Sequence, residues 1–232
     1  MQSERKIWNA SYARGGNVCF YPHEEIIRFV NKFVRKRDGA DTFHNIMQLS
    51  DDAWERFRSL DLGCGMGRHV KFLDEFHLNP YGIDLSDTAV DYGKQWFRAT
   101  GHFDLCDRLI VGSVAALPFE NDSFHICVSH GVLDSMPRET AEAGLREAMR
   151  VLCRGGLMYF DLIMDSQQGN LDQVVDSGYE KDTIQSYFTI ESIYELIAQA
   201  SANLKELKVI EWKDERGSVC SQRAHLIIEK VG

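Results

Sequence analysis

What this chain lacks narrows it first. None of its six cysteines, at positions 19, 64, 106, 127, 153 and 220, forms a C-x-x-C pair. That spacing excludes a zinc ribbon and a disulfide framework, and is expected of reduced thiols in a cytosolic protein. Eight histidines occur without an H-x-x-x-H spacing, so no metal is expected. No apolar run approaches the ~20 residues of a membrane span, and the charged start Met1-Gln2-Ser3-Glu4-Arg5-Lys6 is unlike a signal peptide. The expectation is a soluble, cytoplasmic protein with no membrane partner. Basic charge is also scarce, with 26 Lys and Arg against 35 Asp and Glu for a net charge of −9. Nucleic-acid binding usually needs a basic stripe that releases counterions. The one dense triplet, Arg35-Lys36-Arg37, falls where a helix is expected to end, and the helix macrodipole favours cations there. A solvated helix end is preferred to a phosphate contact, and nucleic acid is not an expected partner. Internal repeats and low-complexity tracts are absent as well.

What is there is a chain of 232 residues, 44% hydrophobic, enough for one large α/β domain with small additions. Its centre is Ser59-Leu60-Asp61-Leu62-Gly63-Cys64-Gly65-Met66-Gly67-Arg68, an apolar strand running into a glycine-rich turn and a helix. Tyr81-Gly82-Ile83-Asp84-Leu85-Ser86 follows about one βαβ unit later and ends a second strand on a carboxylate. A dinucleotide fingerprint would need Gly or Ala where Arg68 stands. Asp61 would repel a pyrophosphate but suits an ammonium group. Both features favour a cofactor with an amino group and no phosphate over a nicotinamide dinucleotide.

Strands are expected at 57–62, 81–84, 109–111, 124–129 and 157–163, with helices at 67–77, 87–99 and 138–151. This alternation implies a parallel sheet covered on both faces. Thr189 is expected to cap a further helix, and the strand-like segments Leu207 to Trp212 and His225 to Glu229, turned at Gly217, to form a hairpin. Before the glycine turn, Pro22-His23-Glu24-Glu25 marks a helix start. Ile26, Ile27, Phe29, Val30, Phe33 and Val34 give that helix an apolar face. Residues 38–56 are expected to be a loop.

On these motifs the chain resembles the class I S-adenosylmethionine-dependent methyltransferases, over roughly residues 57–163. Asp61, Gly63, Gly65 and Gly67 match the family's first motif, and Asp84 its ribose-binding acid. Leu85 matches the apolar residue against adenine, and the run from Leu109 through Leu117-Pro118-Phe119 to Asp134 follows the family order. The resemblance implies a Rossmann-like three-layer fold with a mostly parallel seven-stranded sheet whose last strand is antiparallel. It also implies S-adenosylmethionine as cofactor, S-adenosylhomocysteine as product, and cofactor contacts from Tyr12, Asp61, Gly63, Cys64, Gly65, Gly67, Asp84, Leu85, Ser113, Val114 and His130. Two positions depart from the pattern. Gly112-Ser113 stands where Gly-Asp is usual, so the adenine contact there lacks a charge. Phe124-His125 stands where Phe-Asp is usual, at the far end of its strand.

Residues 1–56 then form a helical lid extension, 57–232 the methyltransferase domain, and 165–187 an insertion walling the acceptor pocket. Trp8, Tyr12 and Tyr21 are lid aromatics or plain packing residues, and the Tyr12 hydroxyl could reach the cofactor carboxylate. The acceptor should approach at the carboxyl ends of the strands, where His130 and Asp134 follow the fourth strand and Asp161 and Asp165 the fifth. His130 is a candidate base or substrate-facing residue, or merely a strand-end or cofactor contact. Asp134 is a candidate partner for a cationic amine, or a helix start. Arg68 could reach a carboxylate or the lid backbone, His69 is expected on the helix surface, and Cys64 is read as small and apolar. The expected activity is methyl transfer to the N or O nucleophile of a small-molecule acceptor. Alternatives are RNA or protein methylation, for which no basic docking surface is visible, and a non-catalytic cofactor-binding subunit. Oligomeric state is left open.

Overall fold

A computed structural model describes residues 2–164 and 172–231. Asp165, Gly169 and the start of the expected 165–187 insertion lie outside the described residues.

Seven strands make the main sheet: β1 (Ser59–Leu62), β2 (Pro80–Asp84), β3 (Leu109–Val111), β4 (Phe124–Ser129), β5 (Leu152–Met164), β6 (Ala202–Lys213) and β7 (Val219–Lys230). Their spatial order is β6-β7-β5-β4-β1-β2-β3. The pairs among β1 to β5 are parallel and β7 runs antiparallel to both neighbours, as the resemblance implied. The chain walks outward from β1 through β3, then returns to lay β4 on the other side of β1. That reversal opens a crevice at the carboxyl ends of β1 and β4.

Alternation of side chains assigns each strand residue to one of two cores. Leu60, Leu62, Cys127, Met158, Phe160, Leu162, Leu226 and Ile228 join one cluster with Leu145 of α6 (Arg138–Val151) and Leu196 of α7 (Ile190–Gln199). Ile126, Val128, Leu157, Tyr159 and Ile227 face the other cluster, where they meet Ile26, Phe29, Phe72 and Leu73. All four residues of β1 are buried, as expected of a central parallel strand. The capped helix at Thr189 forms as expected, its side chain accepting from Ser192 N–H.

The N-terminal third departs from expectation. Residues Gln2–Ala13 form a helix, α1, and Glu24–Phe29 form α2, started by His23, whose ring accepts from Glu25 N–H. From Val30 to Val34 the winding loosens to a π-helix, and Arg35 turns extended. Arg35–Arg37 therefore pairs as a strand with Phe43–Asn45 rather than ending a helix. The arginines have local partners: Arg35 lies 4.6 Å over the Trp54 ring and donates to Phe76 O at 3.0 Å, and Arg37 lies 5.6 Å over Phe43. The expected loop at 38–56 holds that second strand and a short helix, α3 (Asp51–Glu55), capped by Ser50.

Two more helices cover the crevice region, α4 (Arg68–Glu75) after β1 and α5 (Asp87–Ala99) after β2. A second small hairpin, Asp172–Val174 with Ile184–Ser186, precedes α7.

Candidate active site

The glycine turn is built by backbone necessity. Gly63, Gly65 and Gly67 have φ of 62°, 55° and 85°, a region L side chains rarely adopt. Space closes the same positions. A Cβ on Gly65 would stand 2.5 Å from the Tyr12 hydroxyl, one on Gly67 2.8 Å from the Phe97 ring, and one on Gly63 would strike Val132. Gly67 serves as the N-cap of α4 and does not itself line the crevice.

Asp84 ends β2 with one carboxylate oxygen accepting from Gly65 N–H at 2.7 Å and the other from Ser86 N–H at 2.8 Å. Burial pushes its pKa up to about 6, against those two hydrogen bonds and helped by the nearby charge of Asp61. Asp61 is 1% exposed, and among the described residues neither of its oxygens has a hydrogen-bond partner. His69 Nδ1 is the near neighbour, 3.6 Å from Asp61 Oδ1. His69 is thus buried rather than on the helix surface, because its Nε2 also accepts His23 N–H at 3.3 Å.

These groups surround a cavity of about 690 Å³. Its cofactor-like end is lined by Tyr12, Gly63, Cys64, Gly65, Asp84, Leu85, Ser113, Val114 and His130. Asp61 lies just behind the turn. The Ser113 hydroxyl accepts from Ala115 N–H at 3.2 Å. Cys64 is buried with its thiol pKa well above the ordinary value, which suits a small packing residue and not a reactive thiolate. The other end is walled by Ile7, Trp8 and Val18, by Val132, Met136 and Pro137 after β4, and by Glu180 to Ile184 of the second hairpin, less Lys181. Helix α1 roofs the cavity. Ser86 Oγ donates to Asn9 Oδ1 at 2.7 Å, and Arg14 Nη2 reaches Tyr179 O at 2.8 Å. Trp8 and Tyr12 line the cavity, whereas Tyr21 is 78% exposed and does not.

His130 lies in a cluster of polar side chains from distant elements. Its Nδ1 faces Arg68 Nη2 at 3.3 Å, its Nε2 faces Asp161 Oδ2 at 3.5 Å, and its ring centroid is 3.8 Å from that of His23. His23 in turn stacks 5.8 Å from His225, whose Nδ1 meets the Tyr159 hydroxyl at 2.8 Å. Burial, with the neighbouring histidines, Arg68 and Arg223, drives the His130 pKa down to about 2. His130 is therefore neutral at physiological pH.

Asp134 is fully buried and does not line the cavity. One oxygen accepts from Ile163 N–H and from Arg223 Nη1, both at 2.9 Å, and helix α6 begins only at Arg138. It is therefore placed neither to meet an amine acceptor nor to start the helix. Arg223 Nη1 also donates to Asp161 Oδ2 at 2.7 Å, while Asp161 Oδ1 accepts Gly131 N–H at 2.8 Å. A single guanidinium thus ties two buried carboxylates, and through them the His130–Asp134 loop, to β5 and β7. Arg223 carried no sequence signal, His23 and His225 were legible only as parts of a helix start and a strand, and Glu180 to Ile184 fall in the insertion expected to wall the acceptor pocket. Asp161 was legible only by its position near a strand end.

Sheet order, antiparallel last strand and a glycine turn facing a buried acid define the class, a class I Rossmann-like methyltransferase fold. More narrowly, residues 60–160 match the family model described as a methyltransferase domain. The chain is 24% identical over 182 residues to sterol 4-C-methyltransferase strm-1 of Caenorhabditis elegans, an alignment covering 77% of this chain and 48% of that one. It spans 48% and 39% of the lengths of two curated relatives it matches. Among solved structures, a SAM-dependent methyltransferase of Methanosarcina mazei shares the fold with a TM-score of 0.63 and 19% identity, covering 80% of this chain and 99% of that one. The 1,6-didemethyltoxoflavin-N1-methyltransferase of Burkholderia thailandensis, solved with its substrate and S-adenosylhomocysteine, shares it at 0.56 with 14% identity, covering 75% and 71%.

Proposed function

We propose that the chain is an S-adenosylmethionine-dependent methyltransferase acting on a nitrogen or oxygen nucleophile of a small molecule. The observation that carries this is a continuous cavity of about 690 Å³, which joins the glycine turn and Asp84 to a wall of apolar side chains edged by Glu180 and Asp182. That volume falls within the roughly 300–1,000 Å³ of small-molecule sites. The residues present fit the cofactor. The buried carboxylate of Asp61, which has no hydrogen bond among the described residues and only His69 Nδ1 at 3.6 Å, suits an ammonium group. Asp84 retains lone pairs for ribose hydroxyls, the glycines allow close backbone approach, and Leu85, Val114 and Ser113 suit an adenine. When bound, S-adenosylmethionine supplies a sulfonium methyl group that a lone pair displaces in line, the carbon–sulfur pair leaving on sulfur.

The chain's part is then alignment and exclusion of water. Helix α1 closes over one side of the cavity, and the loop after β4, held by Asp161 and Arg223, presents His130 on the other. His130 is neutral, and Arg68 stands on its Nδ1. The acceptor sits against Trp8, Val132, Met136 and Ile184, so a compact body with apolar surface is favoured over a polynucleotide.

Calorimetry with S-adenosylmethionine, followed by transfer of labelled methyl to a panel of small amines, alcohols and phenols, tests the reading. Micromolar binding and labelling of one panel class are expected. Absence of binding to folded protein would sink it, and labelling of RNA or protein but no small molecule would replace the acceptor class.

A further inference from the structure

Arg68 holds an unusual position for a cavity cation. Among the described residues lining the cavity it is the one lysine or arginine, set against Glu4, Asp84, Glu180 and Asp182. Yet no carboxylate of the described residues pairs with it. One guanidinium nitrogen contacts the Cys19 sulfur at 3.1 Å and Tyr21 O at 3.4 Å, weak or long partners. The other points at His130 Nδ1, 3.3 Å away. A guanidinium only donates, so His130 Nδ1 is the acceptor and the ring proton sits on Nε2, toward Asp161.

This arrangement adds to burial and to the neighbouring histidines in holding the ring neutral. The Nδ1 lone pair is occupied, and a positive charge stands beside the atom that must become positive. The groups facing the ring are Arg68 and His69 from α4, His23 from the segment before α2, Asp161 from β5 and Arg223 from β7. Of these, Arg68 is both on Nδ1 and exposed to the cavity. Asp161 alone is placed to stabilise an imidazolium, 3.5 Å behind Nε2.

We propose that Arg68 is a guard on His130 released by the cofactor's own carboxylate: the amino-acid end of the cofactor draws the guanidinium off Nδ1 and so frees His130, backed by Asp161, to take the acceptor's proton. The inference rests on the S-adenosylmethionine reading. A carboxylate is a far stronger partner for guanidinium than a thiol or a neutral imidazole, because the hydrogen bonds become charge-assisted and bidentate. In the step that would follow, the X–H bond breaks with its proton going to Nδ1, an electron pair on X bonds the methyl carbon, and the carbon–sulfur bond breaks with its pair left on the thioether sulfur. Asp161 Oδ2, 3.5 Å from Nε2 without a hydrogen bond, would supply the nearby negative charge. The base is thus available only when the methyl donor is in place.

The test is a pH titration of the full chain with ¹⁵N-labelled histidine, reading the His130 ring nitrogens by NMR. Three states are compared: empty protein, protein saturated with S-adenosylhomocysteine, and protein saturated with 5′-methylthioadenosine, which keeps the nucleoside and thioether but lacks the amino-acid end. The expected result is that S-adenosylhomocysteine raises the His130 pKa and shifts Nδ1, whereas 5′-methylthioadenosine does neither. In R68Q the His130 pKa of the empty protein is expected to rise, with burial and the neighbouring histidines still opposing. Calorimetry accompanies each titration. Binding of S-adenosylhomocysteine with an unmoved His130 signal overturns the guard alone, as does an equal shift from 5′-methylthioadenosine. No binding of either compound overturns the cofactor reading and the guard with it. The wild-type comparison needs no substitution, so it decides the matter even if R68Q folds poorly.

Discussion

Single residues of the turn carry requirements that no neighbour can take over. At Gly65 a methyl group would combine an unfavourable φ of 55° with a collision against the Tyr12 hydroxyl. Gly65→Ala is expected to weaken S-adenosylmethionine binding at least tenfold in calorimetry, since the turn must shift away from Asp84 to relieve it. Asp84 gives a pH signature. Its pKa is raised in the folded protein to about 6, so below that pH the carboxyl is protonated and loses acceptor capacity for ribose hydroxyls. Cofactor affinity should therefore rise with pH up to about 6 and level off above it. Asp84→Asn should flatten the rise and lower affinity at neutral pH by about 1.5–3 kcal/mol, the usual worth of hydrogen bonds to a charged group. A pH series of dissociation constants for both proteins checks this, and an unchanged slope in the variant would refute it.

Among elements, α1 and α2 contribute differently. Helix α1 is held over the cavity by polar ties, chiefly Asn9 to Ser86, and only Ser11 and Tyr12 of its residues are buried. Asn9→Ala should cost about 0.5–1.5 kcal/mol of that closure, seen as faster amide exchange in α1 and a few-fold weaker cofactor binding with little change in melting temperature. Helix α2 instead inserts Ile26 and Phe29, both fully buried, among Phe72, Leu73 and Tyr159. Phe29→Ala should destabilise by about 3–5 kcal/mol and lower the melting temperature by on the order of 10 °C. A loss confined to cofactor binding would show that α2 is not part of the fold's support. The difference follows from area: a buried aromatic ring removes far more surface from water than one part-buried hydrogen bond secures.

For the whole molecule, the buried trio Asp134, Asp161 and Arg223 joins the acceptor loop to the sheet edge. Burial and the charge of Asp161 raise the Asp134 pKa to about 7, with Arg223 opposing. A carboxyl whose folded pKa lies above its unfolded value of about 3.9 adds stability at low pH that is lost as pH rises through the folded value. The wild-type protein should thus lose stability between about pH 4 and 7 from this group, and Asp134→Asn, neutral throughout, should flatten that segment of the curve. Thermal melts across the range decide it. Arg223→Gln leaves two carboxylates without their cation, and the expected cost is about 3–5 kcal/mol.

Much of the fold was legible because its signals are local. The glycine spacing dictates positive φ at Gly63, Gly65 and Gly67, the acid after β2 marks Asp84, and alternating apolar strands and helices imply a parallel sheet. The sequence also placed His130 beside the cavity, through its position after a strand. What it could not yield were contacts set by sheet order and register. Asp134 lies 89 residues from Arg223 and Asp161 lies 62 away, and β5 and β7 align Asp161 with His225 and Ile163 with Arg223. A one-residue slip would send Arg223 to the opposite face. The same limit hid the burial of His69 and the π-helical turn that makes Arg35–Arg37 a strand, since both answer to packing against distant residues. The sequence by itself determined which backbone turns and which donor-binding groups exist, because those depend on neighbours along the chain. Only the tertiary structure decided which ionisable groups share a desolvated space, and therefore which of them are free to move a proton.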